Sequence, residues 1–100
     1  MPKVSVHKGV IFIEGTHPKA RVIRPVGIEL SSFGAQLKSL VDVKNELSII
    51  AKNNGGNCIT DFKYGQLARF FAIDDVAFYG KGNLALLDND LYKSIIEKFN

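Results

Sequence analysis

Short runs of apolar residues dominate the first thirty positions, and their spacing is that of strands. "VSV" at Val4 to Val6 and "VIFIE" at Val10 to Glu14 flank "HKG", a tight turn in which Gly9 supplies the positive φ. "THPKA" follows as a loop, because Pro18 stops regular continuation. "ARVIRPVGIEL" is the next β-rich run. Pro25 cannot donate to a ladder, so this run belongs at an edge, at a bulge or where a strand breaks.

The period then changes. From about Ser32 to Asn53, the residues Phe33, Leu37, Leu40, Leu47 and Ala51 fall on one helical face, flanked by Val43 and Ile50. Ser31 or Ser32 can cap the start, and Gly55 or Gly56 can end the helix in a left-handed conformation. Ile49 falls on the opposite face, among Lys38, Asp42, Asn45 and Lys52. "NCITDFKY" alternates again, which places Cys58, Thr60, Phe62 and Tyr64 on one side of a strand and Ile59, Asp61 and Lys63 on the other. Cys58 and Phe62 are its expected core contacts. "GQLARFFAIDD" reads as an excursion or a strand extension, and "VAFYGKGNLALL" as a returning strand, kinked or bulged at Gly80 and Gly82. In "DNDLYKSIIEKFN", Asp88 or Asn89 caps a helix whose Leu91, Ile95 and Phe99 recur every four residues.

These elements predict one α+β domain over residues 1–100. A small antiparallel or mixed sheet is packed by one long central helix and a short C-terminal helix, in the order ββ(β)αββα. Composition agrees, since 46% of the 100 residues are hydrophobic. A domain of this size buries a modest fraction of its surface, and Cys58 has no partner for a disulfide. The lone cysteine fits a reducing compartment. "MPKVSVHKGV" lacks the apolar run of a signal peptide, and no stretch reaches the ~20 apolar residues of a membrane span. The expected setting is cytoplasmic, with no membrane contact.

The charge is mildly basic, +3 from 13 Lys and Arg against 10 Asp and Glu. The basic residues are spread along the chain, whereas nucleic-acid binders concentrate them on one face or run. "DFKYGQLARFF" and "FYGKG" do interleave Phe62, Tyr64, Phe70, Phe71, Phe78 and Tyr79 with Lys63, Arg69 and Lys81. With no tryptophan, however, the chain must build its core from such aromatics, and nucleic acid is not the expected partner.

Enzymatic and metal chemistry find little to work with. His7, His17 and Cys58 show no C-x-x-C or H-x₃-H spacing, so no metal ligand and no cofactor is assigned. "YGKGN" opens no helix and "NNGG" ends one, which disqualifies both as phosphate cradles. Pro2 would become a terminal secondary amine once Met1 is removed, and "MPKVSV" is similar to the opening strand of the tautomerases, where such a proline is the base. About twenty residues of further β pattern then separate it from the first helix, unlike that family. No catalytic residue is assigned.

A closer resemblance lies in the helix exit. Leu47, Ala51, Gly55, Gly56 and Asn57, with the strand after them, resemble the YbjQ-like family of small domains, whose helix ends in a phrase of the form A-x-x-x-G-A-N-A-hydrophobic. Here "AKNNGGNCITDFKY" has Gly56 where alanine is usual and Cys58 in place of the second alanine. "FYGKGNLALL" is similar to that family's last core strand, and "IEGTHPKARVIRPVGIE" to its opening strand pair, so the likeness spans residues 10–87. It implies a compact α+β fold and homo-oligomers, pentameric rings among them, in bacterial proteins that include small envelope proteins. The family's label of heavy-metal binding brings no ligands to this chain, because no Cys or His cluster matches one.

Together these observations favour a non-enzymatic domain that self-associates and serves as a structural, adaptor or binding module, with a protein partner possible. The expected contact surfaces are Ile49 and the "LARFF" excursion around Phe70 and Phe71, and Lys63, Tyr64 and Arg69 are the other residues expected to meet a partner. The alternative is a small-ligand, anion or nucleic-acid binding module with a pocket of aromatics from the later strands near Lys63 or Arg69. The N-terminal-proline enzyme is a distant third.

Overall fold

A two-residue turn starts the fold. In the computed structural model, which describes residues 3–32, 40–68 and 76–99, β1 (Val4–His7) and β2 (Val10–Ile13) pair antiparallel with His7 opposite Val10. Lys8 and Gly9 both have positive φ, +50° and +80°, the backbone that matches the right-handed twist of a tight hairpin. The chain then loops through residues 14–20 into β3 (Arg21–Ser32), α1 (Leu40–Asn53), β4 (Cys58–Ala68), β5 (Val76–Leu86) and α2 (Asn89–Phe99).

The five strands form one mixed sheet in the order β1-β2-β4-β5-β3. β2 and β4 are parallel, with Ile11 opposite Cys58 and Phe12 opposite Ile59, and every other pairing is antiparallel. The architecture is therefore α+β with two helices, and its details depart from the sequence expectation. Ser31 and Ser32 finish β3, paired with Ala77 and Val76, and the expected start of the helix beyond them lies outside the described residues. The described α1 spans 14 residues and α2 spans 11, two helices of similar length instead of one long and one short. Phe33, Leu37 and Lys38 of the expected helix lie outside the described residues, as does Pro2. The strand expected with least definition, β3, is the longest, at 12 residues. Pro25 is accommodated because β3 is an edge strand with a bulge between Val22 and Arg24.

Each helix covers a different face of the sheet. Val43, Leu47 and Ala51 of α1 pack on Val10, Phe12, Ile59, Phe62 and Leu84. Leu91, Tyr92, Ile95 and Ile96 of α2 pack on the opposite face, against Ile11, Ile13, Cys58, Ala85 and Leu87. All four residues of β2 are consequently buried, which explains the unbroken "VIFI" run. Helix ends are satisfied locally. Gly55 has φ +77°, its N–H donates to Lys52 O, and Gly56 N–H donates to Ala51 O, the paired bonds of a Schellman stop. Asp88 caps α2 by accepting from Leu91 N–H at 2.8 Å. Asn57 extends the sheet with its side chain, since its Oδ1 accepts from Leu87 N–H and its Nδ2 donates to Leu87 O.

A second bulge changes the phase of β4. Between Thr60 and Lys63 the register shifts, and Asp61 has φ +50°. Cys58 and Phe62 are both buried, as expected, but they face opposite sides: Cys58 lies beneath α2 and Phe62 beneath α1. Strict alternation had placed them together, and the extra residue at the bulge reverses that parity. In β5 itself Gly80 is paired on both sides, with Ile28 and Tyr64, while Gly82 pairs with Val26 and lies opposite the β4 bulge. They face α1, and they are glycine because neighbours press close. A Cβ at Gly80 would stand 2.3 Å from Val43 Cγ1, and one at Gly82 2.6 Å from Thr60 O.

The covering is uneven. β3 alternates between exposed and half-buried positions, with Val26, Ile28 and Leu30 turned towards α1. On the other face, α2 and Ala20 pack over Ile11, Ile13, Cys58 and Ala85, whereas Pro25, Gly27, Glu29, Lys63 and Lys81 are exposed. The radius of gyration, 14.4 Å, exceeds the about 13 Å of a compact chain this long, in keeping with a 47 × 29 × 23 Å shape. Among the described residues no helix is long and apolar enough to cross a membrane.

Candidate binding surface

The uncovered face is assembled by alternation along three strands. β3 contributes Pro25, Gly27 and Glu29, β5 contributes Tyr79, Lys81 and Asn83, and β4 contributes Lys63 and Gly65 after the bulge. Register places Lys63 directly opposite Lys81, Gly65 opposite Tyr79, Gly27 opposite Lys81, and Glu29 opposite Tyr79. The Tyr79 ring lies across Gly65, where a Cβ would come within 3.0 Å of Cε1 and 3.1 Å of the hydroxyl. A depression of about 600 Å³ opens over Gly27, Glu29, Tyr79 and Lys81. A second, of about 260 Å³, continues past Lys81 to Lys63, Asn83, Asp61 and Pro25. Asn83 Nδ2 donates to Asp61 Oδ2 at 3.1 Å, which holds that carboxylate at the far end of the trough.

The residues singled out from sequence are dispersed. Lys63 stands exposed on the bare face, whereas Tyr64 points to the α1 side, 38% exposed and stacked on Phe62 with ring centroids 5.3 Å apart. Ile49 is 52% exposed on the outer side of α1, two turns from the equally exposed Val41. Arg69, Phe70 and Phe71 lie outside the described residues. Lys63, Tyr64 and Ile49 thus occupy three separate surfaces. An aromatic notch from the later strands does exist. Tyr64, Phe78 and Tyr79 line a cleft of about 200 Å³ with Leu40 and Val43, and Lys63 is not among its lining residues.

Sequence reasoning gave Tyr79 and Lys81 no site role. "YGKGN" carried the signal, because alternation puts Tyr79 and Lys81 on one face and the packing glycines on the other.

A polar seam joins β1 to α1. Lys44 Nζ donates to Ser5 Oγ at 2.9 Å and lies over the rings of Phe12 and Phe62, 5.5 and 6.0 Å from their centroids. His7 Nε2 donates to Asn45 Oδ1 at 2.5 Å, and Ser48 Oγ donates its single proton to Lys44 O at 2.7 Å, with His7 O a longer 3.3 Å away. Desolvation lowers the Lys44 pKa, against the pull of Glu14 and with the help of Lys3. The amine is the donor to Ser5, so the hydroxyl offers it a lone pair and not a proton. The arrangement braces the edge hairpin against the helix and gives no activated nucleophile. Cys58 is likewise inert: it is fully buried, and burial pushes its thiol up to about 12. Among the described residues, no three His, Cys, Asp or Glu side chains gather as metal ligands would.

Neither a protein-family model, nor a curated protein, nor a solved structure matches the chain.

Proposed function

We propose that this is a non-enzymatic module that self-associates, its copies joining through β3. The observation that carries the reading is the edge itself. β3 ends the sheet, and a strand of 12 residues in that position presents a row of outward N–H and C=O groups. Val22 and Ile23 are 54% and 44% exposed on it, and Val26, Ile28 and Leu30 keep part of their surface in water. A second strand laid against this edge would cover that apolar surface and satisfy the backbone. Pro25 and the bulge interrupt the ladder in the first half of the strand, so backbone pairing runs over Val26 to Leu30 while the exposed Val22 and Ile23 supply the apolar contact beside it.

The opposite edge, β1, has four residues. Contact between β3 and β3 is isologous and closes at a dimer, whereas contact between β3 and β1 of the next copy generates the ring that the YbjQ-like resemblance implies. Strand length favours the dimer. Sedimentation at high micromolar concentration is the test. The expected result is a dimer that the double substitution Val22→Lys/Ile23→Lys converts to monomer. A wild-type monomer under the same conditions overturns the proposal, and a pentamer replaces the dimer with the ring.

A further inference from the structure

We infer that the bare face of β3, β5 and β4 binds single-stranded nucleic acid, with Tyr79 as a stacking platform and Lys63 and Lys81 as phosphate contacts. The inference goes beyond the self-association proposed for the β3 edge and concerns a second surface, the face of the sheet.

Gly27 is the first observation. Other glycines of the sheet are demanded by neighbours, with a Cβ at Gly82 only 2.6 Å from backbone and one at Gly80 only 2.3 Å from Val43. At Gly27 a Cβ would meet Lys81 Cβ at 3.5 Å, an ordinary contact, and its φ is not among the positive ones. Nothing in the described fold requires the missing side chain. Its effect is to keep the floor of the 600 Å³ depression at backbone level beside Tyr79. A strand glycine of that kind marks close approach by something outside the chain.

The lysines are the second observation. Like charges directly opposite on antiparallel strands destabilise the pair, and Lys63 and Lys81 are register partners. An anion lying between them would relieve that repulsion. A polyanion with planar bases meets both features, because bases stack on aromatic faces while cations track the backbone. The shape selects a strand over a free nucleotide. The two depressions share Lys81 and run as an open trough, so one nucleotide would be poorly enclosed while several in series gain contacts along it. Glu29 on β3 and Asp61 at the far end confine the phosphates to the β4–β5 side.

The test is fluorescence anisotropy of a labelled oligothymidylate of about 12 nucleotides, at about 50 and about 200 mM salt. Binding is expected at low salt, weakened about tenfold or more by Tyr79→Ala and nearly unchanged by Tyr79→Phe. Gly27→Leu fills the trough without touching the core and should also weaken binding. In Lys63→Ala/Lys81→Ala, the slope of log affinity against log salt should flatten by about 1.4, roughly 0.7 per lost phosphate contact. No anisotropy change at low salt overturns the inference. So does binding indifferent to Tyr79→Ala and Gly27→Leu, or heparin bound as tightly as the oligonucleotide. Sedimentation of the same samples separates the two proposals. A self-associating chain that ignores the oligonucleotide leaves the module reading standing alone. Loss of association in Tyr79→Ala would instead assign the face to a second copy.

Discussion

The two ends of the sheet use apolar and polar residues in opposite ways. Around β2 the strands are covered on both faces, by α1 and α2, and every β2 side chain is buried. At the β3 end α1 covers one face, and among the described residues the other presents Pro25, Gly27, Glu29, Lys63 and Lys81 to solvent, with Tyr79 half-buried beside them. α2 sits against β1 and the start of β4. On the β3–β5 pair the two faces treat glycine differently: Gly80 is pressed by Val43 of α1, whereas a Cβ at Gly27 would make only ordinary contacts.

The largest test of that contrast is a truncation in the doubly covered end. Phe12→Ala should cost about 4 kcal/mol in urea unfolding, since Phe12 is 1% exposed and packs edge-on against Phe62 at 4.9 Å. Next comes Gly82→Ala, expected to cost about 2–3 kcal/mol, because the added methyl meets the Thr60 carbonyl, which cannot step aside as a side-chain tip would. Cys58 probes the layer beneath α2 through pH. Above pH 9 the unfolded thiol, with an ordinary value of 9.0, releases its proton while the folded thiol, at about 12, keeps it. Unfolding is then favoured, and stability falls with rising pH by up to about 1.4 kcal/mol per unit between those values. Cys58→Ala should remove that part of the slope in denaturation series at increasing pH. Asp88→Ala should cost about 1 kcal/mol by uncapping α2, read as a lower midpoint in thermal unfolding. The smallest effect belongs to the bare end. Gly27→Ala should leave stability within about 0.5 kcal/mol of wild type, on the favourable side, and a large loss would show that the glycine serves the fold.

How much of this was legible depends on the range of the interaction that decides it. Local signals gave the hairpin turn at Gly9, the stop at Gly55 and the cap at Asp88, because each is settled by two to five neighbouring residues. Parallel pairing of β2 with β4 joins segments more than forty residues apart, and no local pattern marks it. The face that each β4 residue takes depends on the bulge at Asp61, and an aspartate with positive φ looks in sequence like any strand aspartate. Gly80 and Gly82 suggested irregular backbone because a strand offers two reasons for glycine: Gly80 is pressed by Val43 of α1, and Gly82 by Thr60 and Ile59 of β4 beside the bulge. The bare face was invisible for a related reason: what packs over Tyr79 and Lys81 is decided by distant segments, not by residues beside them in sequence. Lys63 is exposed, and Tyr64 and Ile49 lie on other surfaces, a separation that no local pattern marks.

Cys58 also makes the molecule its own stopwatch. At pH 7 a thiol held at about 12 is ionised to about one part in 10⁵, and α2 stands between it and any reagent. Its modification in the native protein therefore waits on the departure of the helix. With reagent in excess, the labelling rate reads how often the C-terminal segment lifts off, in seconds or hours, without a dye, an added tag or a second cysteine to confuse the count.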